Sequence, residues 1–459
     1  MGVLKISEIN NGRSAIRFAL PAIIMTVFMS TYSMIDGLFI SRYVGTDAVG
    51  ATNILLPVIC LATAIGFMFS SGGTAWIGRK LGMGKKEEAR SDASLIIVVA
   101  FVLSIGVSIL SLSFMRPLVY LLGADDVLFG YAYDYGMSVA IFFPLLVLQM
   151  IIGEFVIVSG KPIHSMASFI GGGITNIVLD CIFIVNLEMG VAGAALATGI
   201  GASIPAFIGL FILTRKGCEL RLSKPSGDYR ALFGSCCNGA SEMISELSVA
   251  VTSLLFNITM MRCAGADGVA AISVILYVQT FAVSAVVGYM MGTSSITAYN
   301  YGARNGRNLN MMFFNGLLVS AIISIASFMV LFLCGSELAI LFAGDAENVR
   351  MLIEQGTFIF SFGFLMAGFN IFASGIFTAL SDGSSSAIIS VFRGLILLVP
   401  SIVLLSELFG TIGVWFSIPI TEMITLVISL YLLKQRMPLY GIRMQNGNKG
   451  AVNETVNKI

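Results

Sequence analysis

Charge is what this sequence has least of. Only 11% of its 459 residues are Asp, Glu, Lys or Arg, less than half of the roughly 25% usual in a soluble domain. With 57% hydrophobic residues and a mean hydropathy of +0.93, too few polar side chains remain to cover a globular surface of this size. That excludes an ordinary cytosolic enzyme, a disordered chain and a small secreted disulfide scaffold. The charges that exist balance at net +1, which gives no sign of nucleic-acid binding. There is one histidine, His164, set beside Pro162 at a loop; it reads as a solvated residue, and no catalytic constellation forms around it. The seven cysteines make no C-x-x-C pair and no metal-ligand spacing, so they read as small apolar residues. The segment up to Arg17 is polar and basic and is not a signal peptide. Ile6 stands where N-myristoylation needs Ser or Thr. The expectation is an all-α integral membrane protein that is not an enzyme and has no cofactor.

A helix crossing about 30 Å of hydrocarbon needs about 20 apolar residues. Cutting the chain at its charged and Gly/Pro-rich punctuation predicts twelve such stretches. Six lie near 14–41, 48–78, 92–122, 129–158, 163–186 and 190–214, and six near 235–262, 268–299, 310–342, 349–380, 386–408 and 412–434. With the N-terminus inside, 22 of the 26 Lys and Arg fall on the cytoplasmic side, as the positive-inside rule asks. Arg393 enters that count by snorkelling from within its span. Both termini are therefore expected in the cytoplasm, with the chain a multi-pass protein of the cell membrane.

The chain also repeats itself. A shift of 220 residues lays Gly45, Asp47, Val49 and Ala51 on Gly265, Asp267, Val269 and Ala271. The same shift puts Gly72, Gly82, Asp125, Gly136, Gly190 and Gly193 on Gly292, Gly302, Asp345, Gly356, Gly410 and Gly413. An even number of spans per copy gives both copies one orientation, so a pseudo-two-fold axis along the membrane normal is expected. The predicted organisation is an N-lobe of helices 1–6 (1–213), a linker (214–230), a C-lobe of helices 7–12 (231–434) and a tail (435–459). Two such lobes make an alternating-access carrier. A channel would need a filter or a multi-subunit pore, and no filter sequence is present.

Ionisable groups within hydrocarbon cost at least about 2.5 kcal/mol each, so each needs a reason. Well inside the spans stand Asp36, Glu154, Asp180, Glu242, Glu246 and Glu422, with Asp134 nearer an end and Arg393 as the one embedded base. A cavity so lined attracts cations. Asp36 and Asp180 each lie about eight residues before an outer loop, roughly 12 Å deep. Tyr32 and Asn176 precede them by four residues and share their faces. With Thr198 they form one candidate cluster for proton or Na⁺ coupling, since oxygen-rich groups suit a hard cation and adjacent carboxylates suit a proton carrier. At the +220 positions stand Thr252, Phe256, Ile396, Pro400 and Ile418, which predicts that coupling is concentrated in the first lobe. Glu242 and Glu246 share a face as a second cation site, with an interfacial Glu242 as the alternative. Glu154 is a candidate cavity residue. Glu422 has no evident partner, and Met290 and Met291 are candidates for a pliable binding wall.

At these residues the chain resembles the multidrug and toxic compound extrusion (MATE) family, most closely its DinF/MepA-like branch. The resemblance covers about 14–434. It is carried by Met34-Ile35-Asp36-Gly37-Leu38-Phe39-Ile40, by Leu179-Asp180-Cys181-Ile182-Phe183-Ile184 leading to Gly190-Val191-Ala192-Gly193, by Asn238-Gly239-Ala240-Ser241-Glu242 and by Gly292-Thr293-Ser294-Ser295 through Tyr301-Gly302. It implies twelve helices in two lobes and export of drugs or metabolites, often cationic, against H⁺ or Na⁺. It also implies that Asp36, Asn176 and Asp180 belong to the coupling site, with Tyr32 and Thr198 beside them, and that Pro21 is a helix-bending proline. Glu246 matches a seventh-span glutamate. The expected partners are small organic substrates and the bilayer, with the chain a monomer. Two rivals are a major facilitator, whose second-loop Asp-Arg is missing around Gly78-Arg79-Lys80-Leu81-Gly82, and a lipid-linked oligosaccharide flippase of the same superfamily.

Overall fold

The computed structural model describes residues 6–343 and 346–442, and these contain no β-strand. Asp345 of the repeat and the basic residues Lys5, Arg443, Lys449 and Lys458 lie outside the described residues. Spans 1 to 6 are Gly12–Val44, Thr46–Ile54 with Leu56–Gly82, Lys86–Leu121, Asp126–Ala140 with Phe143–Val158, Pro162–Asn186, and Gly190–Thr214. Span 4 bends by 51° between its two pieces. Spans 7 and 8 form one helical stretch, Tyr229–Gly302, of 74 residues. At 1.5 Å per residue that is about 110 Å, several times the thickness of a bilayer core. Gly265, with φ 63° and ψ −149°, breaks it in two. Spans 9 to 12 are Gly306–Ala343, Glu347–Ala379, Gly383–Phe409 and Thr411–Tyr440.

These stretches are helical because hydrocarbon offers no partner for a backbone N–H or C=O, and a helix satisfies nearly all of them within itself. Their starts are written locally. The Asn11 side chain accepts from the Ser14 amide to begin span 1, Asp382 does the same for Ser385 to begin span 11, and Pro57, Pro144 and Pro162 occupy first-turn positions where no N–H is needed. Pro21 lies inside a helix that continues through it.

The 220-residue repeat is visible in the backbone. Gly45 and Gly265 both take positive φ between the first two spans of each half, and Gly190 and Gly410 (φ 59° and 60°) do so before the last. The halves also meet through pairs of contacts related by the same shift. Gly82 lies against the backbone of Tyr299, and Gly302 against that of Arg79. Gly72 lies against Gly239, and Gly292 against Ala19. Gly78 faces Ala298, its own counterpart, which places the pseudo-two-fold axis between spans 2 and 8.

Both ends of the described chain lie at the head of span 9. Asn308 Nδ2 donates to the Ile9 carbonyl and Asn310 Nδ2 to the Gly441 carbonyl. On this terminal face Ile6 and Ile9 are buried in a cluster with Ile157 and Phe169 from the first half and Ile296 and Met312 from the second, so the leader wedges between the halves. The segment after span 6 is fastened to the head of span 3: Arg90 Nε donates to the Glu219 carbonyl, and Ser226 Oγ to Asp92, which also holds Lys80 at 2.6 Å.

Candidate functional site

Spans 1, 5 and 6 come together because glycines remove the side chains between them. Gly173 of span 5 takes Phe28 and Tyr32 of span 1, and Gly201 of span 6 takes Asn176. This brings Asp36 and Asp180 into side-chain contact. Asp180 and Asn176 are fully buried, while Asp36, Tyr32 and Thr198 are half-buried. Asn176 Nδ2 donates to Thr198 Oγ1 at 3.4 Å, and Tyr32, Asn176 and Thr198 line one small pocket with Gln149. All five residues singled out from the sequence therefore converge. A π-helical turn follows each aspartate closely, at Ile40–Val44 and Cys181–Asn186; such turns often mark functional sites.

The chemistry of this cluster is one of acceptors without donors. Asp36 Oδ1, Asn176 Oδ1 and both Asp180 carboxylate oxygens are buried, and no protein group among the described residues bonds to them. Buried polar atoms are nearly always paired, and leaving one bare costs about 1–3 kcal/mol, more for a charged group. Two carboxylates, an amide oxygen and neighbouring hydroxyls suit a proton or a hard cation. Among the described residues no group of three or more His, Cys, Asp and Glu gathers as a transition-metal site would.

Sequence reading missed three members of this neighbourhood. Tyr135 of span 4 and Tyr277 of span 8 lie within reach of the Asp36 charge, and Asp180 also reaches Tyr135. Gln149 is buried from span 4. A lone polar residue in an apolar run was the available signal for Gln149; the tyrosines carried none that separates them from the interfacial kind. Asp134 is exposed.

The counterpart region of the second half is apolar, but not at the positions expected. Ile396 is 49% exposed and Pro400 is exposed, so neither faces the interior. The π-helical turn Phe392–Ile396 inserts a residue ahead of them and rotates the register, and Leu398 and Ile402 take the buried places. Phe256, opposite Asp36 in the repeat, is buried 6.2 Å from Phe360. Phe256→Ala and Ile402→Ala should each cost about 2–5 kcal/mol of packing and leave ion dependence intact. Thermal stability measured with and without Na⁺, and at two pH values, reads both effects; loss of the ion response in either variant would place coupling in both halves.

A second polar group lies between the halves. Glu154 is buried and accepts from Thr74 Oγ1 at 2.7 Å. Thr63 of span 2 donates to Glu246 of span 7 at 2.9 Å, bonding one half to the other. Glu242 is half-buried, and the charges of Arg393 and Glu246 act on it. Glu422, expected to stand alone, is paired: Arg393 Nε donates to its Oε1 and Asn370 Nδ2 to its Oε2, each at 2.7 Å. Arg393 therefore does not snorkel away from its span. It turns inward because a buried carboxylate offers a stronger partner than a distant interface. Met290 packs in the core against Gly375, and Met291 lies half-buried beside the leader cluster.

The MatE family model matches residues 21–182 and again residues 243–404, one stretch in each half. The chain belongs to the MatE family. Among relatives, the multidrug export protein MepA of Staphylococcus aureus (strain bovine RF122 / ET3-1) is 23% identical over 437 residues, covering 93% of this chain and 94% of that protein. MepA of Staphylococcus haemolyticus (strain JCSC1435) is 24% identical over 427 residues, covering 92% and 93%. A MATE crystal structure in complex with MaL6 superimposes with a TM-score of 0.88 at 22% identity, covering 94% of this chain and 97% of that one. The outward-facing conformation of a multidrug resistance MATE family transporter of the MOP superfamily gives 0.87 at 22% identity, with the same coverage. The MatE chain is thus a multi-pass membrane transporter with the two-lobed, twelve-helix MATE fold, and its relatives are named as exporters, which fits a carrier.

Proposed function

We propose that this MatE chain is a secondary active exporter that exchanges amphipathic organic cations for H⁺ or Na⁺ by alternating access. It acts as a monomer in the cell membrane with both termini in the cytoplasm. The observation that carries the reading is the set of four buried oxygens on Asp36, Asn176 and Asp180 that no protein donor satisfies. A proton or Na⁺ supplies what they lack, and a site that is stable only when loaded can couple ion binding to a change of state. The orientation rests on the 22 basic residues that fall on the side of the termini. The acids between the halves, Glu154, Glu242 and Glu246, give a cationic cargo its attraction in a low dielectric. An anionic diphosphate lipid would meet three carboxylates beside one arginine already held by Glu422, which disfavours the flippase reading.

Cells expressing the protein should accumulate less ethidium than control cells, while an anionic dye of similar size should accumulate equally in both. Collapse of the driving ion gradient should abolish the difference. Export of the anion with ethidium ignored would reverse the assignment.

A further inference from the structure

Arg393 is only partly used by its ion pair. Its Nε is bonded to Glu422 at 2.7 Å, yet its side chain keeps 27% exposure while that of Glu422 keeps 5%. Its two terminal nitrogens have no acceptor among the described residues. Glu422 cannot turn away from it, because its other oxygen is held by Asn370, whose own carbonyl oxygen accepts from Ser429 at 2.9 Å. The guanidinium is therefore fixed along one edge and open along the other.

What the open edge meets is set by the packing of span 11 on span 7. Gly383 lies against Cys237 and Asn238, and Gly394, the residue after Arg393, lies against Ser248. Span 11 thus runs beside the segment of span 7 that carries Glu242 and Glu246. Glu242 is half-buried and makes no hydrogen bond among the described residues. A fixed guanidinium and an unsatisfied carboxylate therefore stand on adjacent helices, each with its polar edge free. The acids alone would suit any cation. The arginine opposes a simple cation and offers a planar pair of N–H groups, which match a carboxylate in two-point contact.

We propose that Arg393 is a specificity-determining residue that reads an acidic group on the cargo, so that the site between it and Glu242 prefers zwitterionic amphiphiles to simple cations of the same shape. Discrimination of this kind combines a gain for one ligand with a repulsion against its competitor. Glu422 is the positioning residue that holds the guanidinium. The inference rests on the exporter reading above and names the cargo chemistry of that same site.

The probes are rhodamine 110, which carries a free carboxylate beside a delocalised cation, and rhodamine 123, its methyl ester. Binding of each to the purified full chain is followed by fluorescence anisotropy, with ethidium as a cation lacking any acid. The wild type should bind rhodamine 110 about tenfold more tightly than rhodamine 123, the scale of one charged hydrogen bond. In Arg393→Gln the ratio should fall to about one. Arg393→Gln alone strands a buried carboxylate, so the double variant R393Q/E422Q, in which two amides replace the ion pair, is the decisive one, and the same loss is expected. A ratio near one in the wild type, or a tenfold ratio that survives in R393Q/E422Q, overturns the inference while ethidium binding leaves the exporter reading standing. Failure of the wild type to bind ethidium as well would overturn both.

Discussion

Asp36→Asn and Asp180→Asn should each insert, fold and lose ion-driven export by at least about tenfold, without loss of stability. An amide cannot gain or release the coupling charge, which removes the drive. It can, however, donate to the other aspartate, whose oxygens in the native cluster have no donor. The substitution thus supplies in permanent form what the proton or cation supplies reversibly. Wild-type protein should melt higher as the driving ion is raised, since a ligand bound only by the folded state stabilises by about 2.7 kcal/mol at a hundred times its Kd. Each variant should lose that response while its melting temperature in the absence of the ion equals or exceeds the wild type's. Thermal unfolding across Na⁺ concentration and pH, beside transport, separates this from damage. A variant that unfolds early, or that retains ion-driven export, would remove the cluster from the mechanism.

The second large effect belongs to the contacts about the pseudo-two-fold axis. Gly82→Val and Gly302→Val should both fail to give folded monomer, and should fail alike. Each glycine lies against backbone of the other half, at Tyr299 and at Arg79. Overpacking a core commonly costs about 1–3 kcal/mol, but that figure assumes side chains able to yield, and backbone inside two long helices cannot. Gly106→Ala is the control. Nothing lies within 4 Å of a Cβ there, so the alanine should be neutral or stabilising by its helix propensity. Size-exclusion profiles of the three variants read the result. Normal folding of Gly302→Val beside loss of Gly82→Val would mean that the two contacts are not equivalent.

The fold was largely legible because its causes are compositional. Twenty-residue apolar runs, loop glycines at a constant offset and one-sided basic residues each follow from the bilayer, and the positive φ of Gly45, Gly265, Gly190 and Gly410 shows why those glycines repeat. The convergence of Asp36, Asn176 and Asp180 was legible from depth and helical spacing. What was not legible depends on events that leave no residue-type signal. The π-helical turn at Phe392–Ile396 moves every later side chain of span 11 by one position, so Ile396 and Pro400 were assigned the wrong face. The pairing of Arg393 with Glu422 joins residues 29 apart on different helices, and helical spacing speaks only within one helix. Tyr135 and Tyr277 reach the aspartates from spans 4 and 8, and the burial of Ile6 and Ile9 between the halves depends on an arrangement that local sequence does not encode.

The most direct measurement is ethidium transport in proteoliposomes under imposed gradients, with the wild type and Asp180→Asn reconstituted at equal density. The account predicts that a proton or a Na⁺ gradient drives ethidium against its own concentration difference in the wild type, and that Asp180→Asn carries none of this driven flux. Driven flux of equal size through Asp180→Asn, or ethidium movement in the wild type indifferent to both gradients, would contradict it.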